Sequence, residues 1–350
     1  MEPQLRPAAK LEGLDLGNGW KVMKTIKKGK KGTGGNFSVG YEVQNSEGQK
    51  AYLKAYDLTS AFGQRDLTKA LQEMTSAFNF ERDLLIKCKD KKLGRIIKPI
   101  LHGQTLPPLA ANPYEVVWYL IFELADSDVR NYVANLSNFD LVWCLKSLHH
   151  TAVGLEQLHT NGIAHQDLKP SNVLFFKTEG SKIGDLGSAS DVSAHSMNDV
   201  KMIAGDVTYA PLELFYQSYQ LGQFYKRALV DIYLFGSLFF FYFSGLSCSE
   251  AIRSRLKARL TCGTPQEDFL KDIPYIKMAY ETAIKDLKEE LRKITPDLEA
   301  EIIRIVKELC EPDPEKRGDK GISGVIPKYS LQRIISSLDS LAKKAERNFK

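Results

Sequence analysis

The sequence predicts an α+β protein of two lobes, the first rich in strands and the second helical. Three observations predict it. Short runs with period-two alternation, rich in Val, Ile, Tyr and Trp, fill residues 20–56 and 95–122. From Leu141 onward, apolar residues recur at three- and four-residue spacing instead. The length of 350 residues corresponds to two units at roughly 150 residues each. The expected division is an N-terminal extension over 1–19, a small lobe over 20–125 and a large lobe over 126–346. A strand-rich lobe followed by a helical one implies a cleft between them, a usual place for a ligand.

The elements follow in order. Residues 1–19 are punctuated by Pro and Gly and read as an extension. Trp20, Val22 and Lys24 open a strand. A Gly-rich turn follows (Gly29, Gly32, Gly34, Gly35), then Phe37-Ser-Val-Gly-Tyr-Glu-Val, where Tyr41 and Val43 alternate with Gly40 and Glu42. Ala51-Tyr-Leu-Lys54-Ala-Tyr is a third strand. Leu67, Leu71, Met74, Phe78, Leu84 and Leu85 carry helical spacing through 66–88. Arg95-Ile-Ile-Lys-Pro-Ile and Val116-Val-Trp-Tyr-Leu-Ile-Phe read as two more strands. A long helix over Leu141–His159 ends at Asn161-Gly162, a stop signal. Beyond residue 214 the pattern is mostly helical, at 228–243, 279–293, 298–310 and 329–346.

Composition excludes several classes. Apolar residues are 43% and charged residues 26%, so disordered, collagen-like and disulfide-miniprotein chains are ruled out. The net charge of +5 is too small to name a nucleic-acid or membrane partner, and no nucleic acid is expected. Five scattered cysteines without a CxxC pair form no metal pattern and suit a reducing compartment. The N-terminus lacks the apolar stretch of a signal peptide, so a cytoplasmic location is expected. The apolar run Ile232–Leu246 is 15 residues, shorter than the about 20 a membrane span needs. It is expected to be a buried core helix, not a transmembrane segment. The last helix has an amphipathic stripe (Leu331, Ile334, Ile335, Leu338, Leu341) for docking and a basic, solvated end.

The strongest signal is His165-Gln-Asp-Leu-Lys-Pro-Ser-Asn-Val-Leu-Phe, which puts Asp167, Lys169 and Asn172 in one loop after a long helix. Gly184-Asp185-Leu186-Gly187 follows, with Asp185 18 positions after Asp167. Together, in this order and spacing, they resemble the catalytic loop and metal-binding motif of eukaryotic-type serine/threonine protein kinases. The resemblance spans residues 20–318 and implies a bilobal protein-kinase-like fold, ATP and Mg²⁺ as cofactors, and protein substrates. The chemistry suits these residue types. A transferring phosphoryl group needs positioning and charge neutralisation, and Mg²⁺ takes hard oxygen ligands shared with phosphate.

On that resemblance Asp185 and Asn172 hold the metal. Asp167 orients the acceptor hydroxyl and takes its proton, and Lys169 steadies the γ-phosphate, as in serine/threonine enzymes. Lys54 matches the strand lysine that holds the α- and β-phosphates. Its helix partner is expected to be Glu81, 27 positions on, which requires an insertion around residues 57–68. Glu73, at 19 positions, is the rival. Gly32, Gly34 and Gly35 resemble the phosphate-covering loop, with Ser38 where a third Gly usually sits, and Val39 is expected against adenine. Phe122 matches the residue before the hinge. Glu123 and Ala125 would offer backbone groups to adenine, so their side-chain identity should matter little. Asp126 or Asp128 could reach the ribose. Glu213 is expected to pair with Arg317, and Asp231 to brace the catalytic-loop backbone.

Two positions depart from the family pattern. Gln166 stands where an Arg often precedes the catalytic Asp, and Asp206 where serine/threonine kinases usually place a Thr. The first leaves a phosphate on the segment from Asp185 to Glu213 without its usual Arg partner, so activity without such phosphorylation is expected. The alternatives to a protein kinase are a catalytically inactive kinase-fold scaffold and a small-molecule phosphotransferase of related fold. The intact set Lys54, Asp167, Asn172 and Asp185 argues against the scaffold, and the Asp-Leu-Lys-Pro loop against the phosphotransferase.

Overall fold

A computed structural model describes residues 6–26, 38–108, 110–216, 224–256, 269–318 and 330–348. The chain forms two compact units, Met1–Ser127 and Asp128–Lys350. Gly32, Gly34 and Gly35 lie outside the described residues.

The first unit is an antiparallel sheet of β1 (Trp20–Thr25), β2 (Ser38–Asn45), β3 (Lys50–Tyr56), β4 (Pro99–Thr105) and β5 (Val117–Glu123), in the order β1-β2-β3-β5-β4. Its pleat sorts the side chains. Val22, Tyr41, Val43, Ala51, Leu53, Ala55, Tyr119 and Ile121 bury one face. Lys54 falls on the other, register-paired with Gly40 and Leu120. Helix α1 (Leu67–Asp90) packs on that second face through Phe78, edge-on to Tyr56 at 5.0 Å and tilted against Trp118 at 5.2 Å. Asp66 caps the helix by accepting from the Lys69 N–H. The expected insertion is the stretch holding the short 3₁₀ turn Thr59–Gly63 and this cap.

Two expectations shift here. The segment read as an extension is part of the core. Ala8 and Leu11 are fully buried in the first face, and Tyr41 donates its hydroxyl to the Ala8 carbonyl at 2.7 Å. Gly13 and Leu14 exchange backbone hydrogen bonds with Val22, which lays the segment along β1. The strand expected from Arg95 begins instead at Pro99.

In the second unit, after the two-residue β6 (Ser127–Asp128) at the division, come α2 (Val129–Ala134) and α3 (Leu141–Thr160). Four short strands follow, β7 (Ile163–Ala164), β8 (Val173–Phe176), β9 (Gly180–Ile183) and β10 (Ser190–Asp191). The remaining helices are α4 (Phe224–Ser244), α5 (Cys248–Arg253), α6 (Phe269–Ile294), α7 (Glu299–Leu309) and α8 (Gln332–Asn348). The stretch Tyr225–Ser244 is long and apolar enough to cross a membrane, yet 89% of its apolar window is buried inside the fold. It is a core helix, packed by α3, α6 and α7. Helix α8 docks on α3 through Ile334, Leu338, Leu341, Ala342 and Ala345, so the stripe is a packing face. Helix α6 starts well before its charged stretch, and Pro274 interrupts the pattern that periodicity reads.

Candidate active site

In the first unit, the sheet face that carries Lys54 faces α1, and the pleat and helix pitch bring it to Glu81. The ammonium lies 2.8 Å from Glu81 Oε1 and 3.2 Å from Oε2. Tyr56 donates its hydroxyl to Oε2 at 2.8 Å, and its ring lies 5.2 Å from the Lys54 Nζ. Glu81 is 3% exposed, whereas Glu73 is on the solvent side of the helix, so the structure pairs Lys54 with Glu81. A buried carboxylate needs such donors, and it has three contacts from two residues.

Val39 is a correction. It pairs with Ala55 and packs against the core on the face opposite Lys54. A strand's side chains alternate, so Gly40, not Val39, shares the lysine's face. The Tyr52 ring covers Gly40 so closely that a Cβ there would meet its hydroxyl at 2.5 Å. Phe122, 6% exposed, pairs with Tyr52 across β3 and β5. The Glu123 side chain also has a use that was not expected: its carboxylate accepts from the Lys98 N–H at 3.0 Å while its own N–H donates to the Lys98 carbonyl. Ala125 follows β5 and is half-buried. Asp128 is the N-cap of α2, accepting from the Asn131 N–H at 2.8 Å.

In the second unit, the loop after β7 is held from below by Asp231 of α4. Its two carboxylate oxygens accept from the backbone N–H groups of His165 at 2.7 Å and Gln166 at 2.6 Å, and His159 adds a contact at 2.9 Å. The His165 ring joins the loop to the next motif, with Nε2 3.0 Å from the Gly184 carbonyl and Nδ1 accepting from the Asp167 N–H. The loop therefore presents Asp167 from a fixed backbone. Gln166 and Asp185 both sit in the left-handed region (φ 62° and 57°), which costs a non-Gly residue about 1–2 kcal/mol each. Such conformations persist where surrounding bonds over-determine them.

Around Asp167 the partners converge. Oδ1 accepts from the Asp206 N–H at 2.8 Å, and Oδ2 meets Asn172 Nδ2 at 3.1 Å and Lys169 Nζ at 3.1 Å. Lys169 is shared, because its Nζ also lies 3.3 Å from Asp206 Oδ2. Gly205 lets the two segments approach: a Cβ there would meet the Gln166 carbonyl at 2.4 Å and Asp167 Oδ1 at 2.7 Å. Burial pushes the Asp167 carboxyl above its ordinary range, with Asp185 adding to the rise and Lys169 opposing it. Burial works the same way on Asp206, but the Thr208 hydrogen bonds and Lys169 outweigh it and hold that carboxyl low. Asp185 is exposed while Asn172 is 6% exposed.

The segment after Asp185 ends at a buried bidentate pair. Arg317 Nη1 lies 2.6 Å from Glu213 Oε1 and Nη2 3.1 Å from Oε2. Sequence reasoning missed Arg227 on α4, Asp206 as the second partner of Lys169, and Tyr52. No motif marks these positions. Arg227, four residues before Asp231, is the residue helical spacing could have found.

The protein kinase domain family model matches residues 26–319. Among curated relatives, the chain is 26% identical over 235 residues to a probable serine/threonine-protein kinase of Arabidopsis thaliana, covering 64% of this chain and 31% of that protein. It is 28% identical over 225 residues to cyclin-dependent kinase C-2 C of the same plant (61% and 33%), and 27% identical over 244 residues to cyclin-dependent kinase-like 2 of Rattus norvegicus (67% and 47%). The chain thus spans less than half the length of each. With a family model covering most of its length, and with the loop, the strand lysine and the Glu213–Arg317 pair in their expected arrangement, the chain belongs to the protein kinase family.

Proposed function

We propose that the chain transfers the γ-phosphate of ATP to Ser or Thr hydroxyls of protein substrates, with Mg²⁺. The observation that carries the reading is Asp167, a carboxylate with its side chain 11% exposed and its pKa raised, fixed at its backbone and flanked by Lys169 and Asn172. Lys169 two positions after Asp167, and the printed names of the relatives, favour Ser and Thr acceptors over Tyr.

The residues fit a nucleotide-bound divalent cation. Asn172 commits its amide nitrogen to Asp167, bonding its carbonyl at 2.8 Å as well as Oδ2. That fixes the amide so that its oxygen is the end left to offer a hard cation. Among the described residues no cluster of three or more His, Cys, Asp or Glu could hold a metal alone. This suits Mg²⁺ shared with phosphate oxygens. Asn172 and Asp185 would hold it, and Lys54, steadied by Glu81, would hold phosphate; the bound cation neutralises charge on the transferring group. Asp167 positions the acceptor hydroxyl and takes its proton, for which a raised pKa is suited. Lys169 places a positive charge beside it.

Incubation of the full chain with labelled MgATP and dephosphorylated casein, a histone or small-molecule alcohols tests the reading. Phosphoserine or phosphothreonine on protein, lost in Asp185→Asn with the fold retained, is the expected result. A nucleotide-dependent thermal shift without turnover would return the scaffold reading, and label confined to small alcohols the phosphotransferase reading.

A further inference from the structure

We infer that Arg227 is a positioning residue that locks the segment after Asp185 to the catalytic loop without a phosphate, acting through Gln166. The inference rests on the catalytic role given to Asp167. Arg227 is 5% exposed on α4. Its Nη1 donates to Gln166 Oε1 at 2.8 Å and to the Asn198 carbonyl at 3.3 Å, and its Nη2 donates to the Asp199 carbonyl. These three partners are neutral oxygens on two different segments. A guanidinium offers five donors in a rigid fork, so one side chain can hold both.

Gln166 completes the link because its amide both accepts and donates. While Oε1 takes the Arg227 bond, Nε2 donates to the Ser188 carbonyl at 3.1 Å. Ser188 in turn donates its hydroxyl to the Ala204 carbonyl at 3.1 Å, next to the Gly205–Asp206 stretch that bonds Asp167. The clamped turn is internally tied. Ser196 and Asp199 form a reciprocal cap over Met197–Val200, and Asn198 Nδ2 bonds the Gly187 carbonyl at 2.9 Å and the Ala189 carbonyl at 3.2 Å. A cation is therefore already present beside the segment, and it is spent on the Gln166 amide oxygen and two backbone carbonyls. An Arg at position 166 would have no acceptor for Arg227 and would set a second cation against it.

The test compares phosphatase-treated full-length wild type with Arg227→Met, Gln166→Arg and Gln166→Glu. Mass spectrometry first establishes that residues 185–213 are unmodified. Hydrogen exchange then reads the amides between 186 and 206, and initial rates are measured with MgATP and casein. Expected are slow exchange in wild type, exchange faster by about tenfold or more in Arg227→Met and Gln166→Arg, and a comparable fall in kcat with KM for ATP within about twofold. Gln166→Glu keeps the Arg227 acceptor but loses the Nε2 donor to the Ser188 carbonyl, so its exchange and rate should fall between wild type and Gln166→Arg. If Arg227→Met does not fold, slower exchange in Gln166→Glu than in Gln166→Arg decides the matter, since only the first keeps an acceptor for Arg227. Unchanged exchange in Gln166→Arg, or a wild-type segment that exchanges freely until it is phosphorylated, overturns the clamp. A wild type with protected amides and no transfer overturns the kinase reading and leaves the clamp standing, since exchange does not depend on turnover.

Discussion

The charged side chains of the two units are held in contrasting ways. Lys54 meets the Glu81 carboxylate, which also accepts from the Tyr56 hydroxyl. Asp167 sits in a mesh in which Asp206, Asn172, Lys169 and His165 all touch it or its backbone, with Asp231 beneath. A strand lysine opposite a helix glutamate needs only correct pleat and pitch. A carboxylate kept largely from water and basic needs several donors, because each lone pair left unmatched away from water costs free energy. The first arrangement centres on a lysine–carboxylate pair, and the second spreads its effect over several groups.

Lys54→Met tests the concentrated case and carries the largest expected effect. If the charge acts mainly at the transition state, turnover falls by several powers of ten, at about 1.4 kcal/mol per factor of ten. Glu81→Gln leaves the lysine in place and loses only a charged hydrogen bond, worth about 1.5–3 kcal/mol, so it falls less. Rates for both variants on one protein acceptor give the ranking. Equal losses would mean that Glu81 does more than hold the lysine, and the contrast between the units would break.

A second test separates the units by stability. Leu11 is fully buried beside Ala8 against the sheet. Leu11→Ala should remove about 2–5 kcal/mol, and the loss should fall on the first unit. Urea unfolding followed at Trp20 and Trp118 in one unit and Trp143 in the other reads this, because two units need not melt as one. Coincident shifts of both transitions would show that the units unfold together.

The two units also differ in how well the sequence announces them. Strands, α1, α3 and α4 were legible because their periods are clean, and Lys54, Asp167, Asn172 and Asp185 because they stand in the order and spacing of protein-kinase motifs. Glu81 was legible over Glu73 from the hydrophobic run behind it, and its burial gives the physical reason. Val39 was misplaced because a Gly-rich turn hides the register, and a slip of one residue moves a side chain to the other face. Residues 6–16 looked like an extension because the side chains that pack against the core (Ala8, Leu11, Leu14, Leu16) carry no sustained period and much of the rest is held by backbone bonds. The bonds of Arg227 to the Asn198 and Asp199 carbonyls could not be read, since backbone acceptors leave no mark on sequence; only its place one turn before Asp231 was open to helical spacing.

The smallest expected effect sharpens the distributed case. Asp206 shares Lys169 with Asp167 and places a second negative charge beside it. Asp206→Asn removes that charge and keeps the backbone N–H that bonds Asp167 Oδ1. Lys169 then serves Asp167 alone, so the raised Asp167 pKa should fall toward its ordinary range. A base works when deprotonated, so wild-type activity is lost as pH falls through the raised pKa, and the acid limb of kcat/KM in the variant should move to lower pH. Stability carries the opposite bookkeeping for Asp206 itself. Its folded pKa is depressed, so its contribution is present above the unfolded value and is lost as pH falls through the folded one. The variant should therefore be less stable than wild type near neutral pH and lose less on acidification. Near neutral pH the rate should change by less than about tenfold, since three other partners still hold Asp167. An acid limb that stays put, or moves to higher pH, would show that Lys169 is committed to Asp206 and not shared, and that Asp167 is held by hydrogen bonds alone.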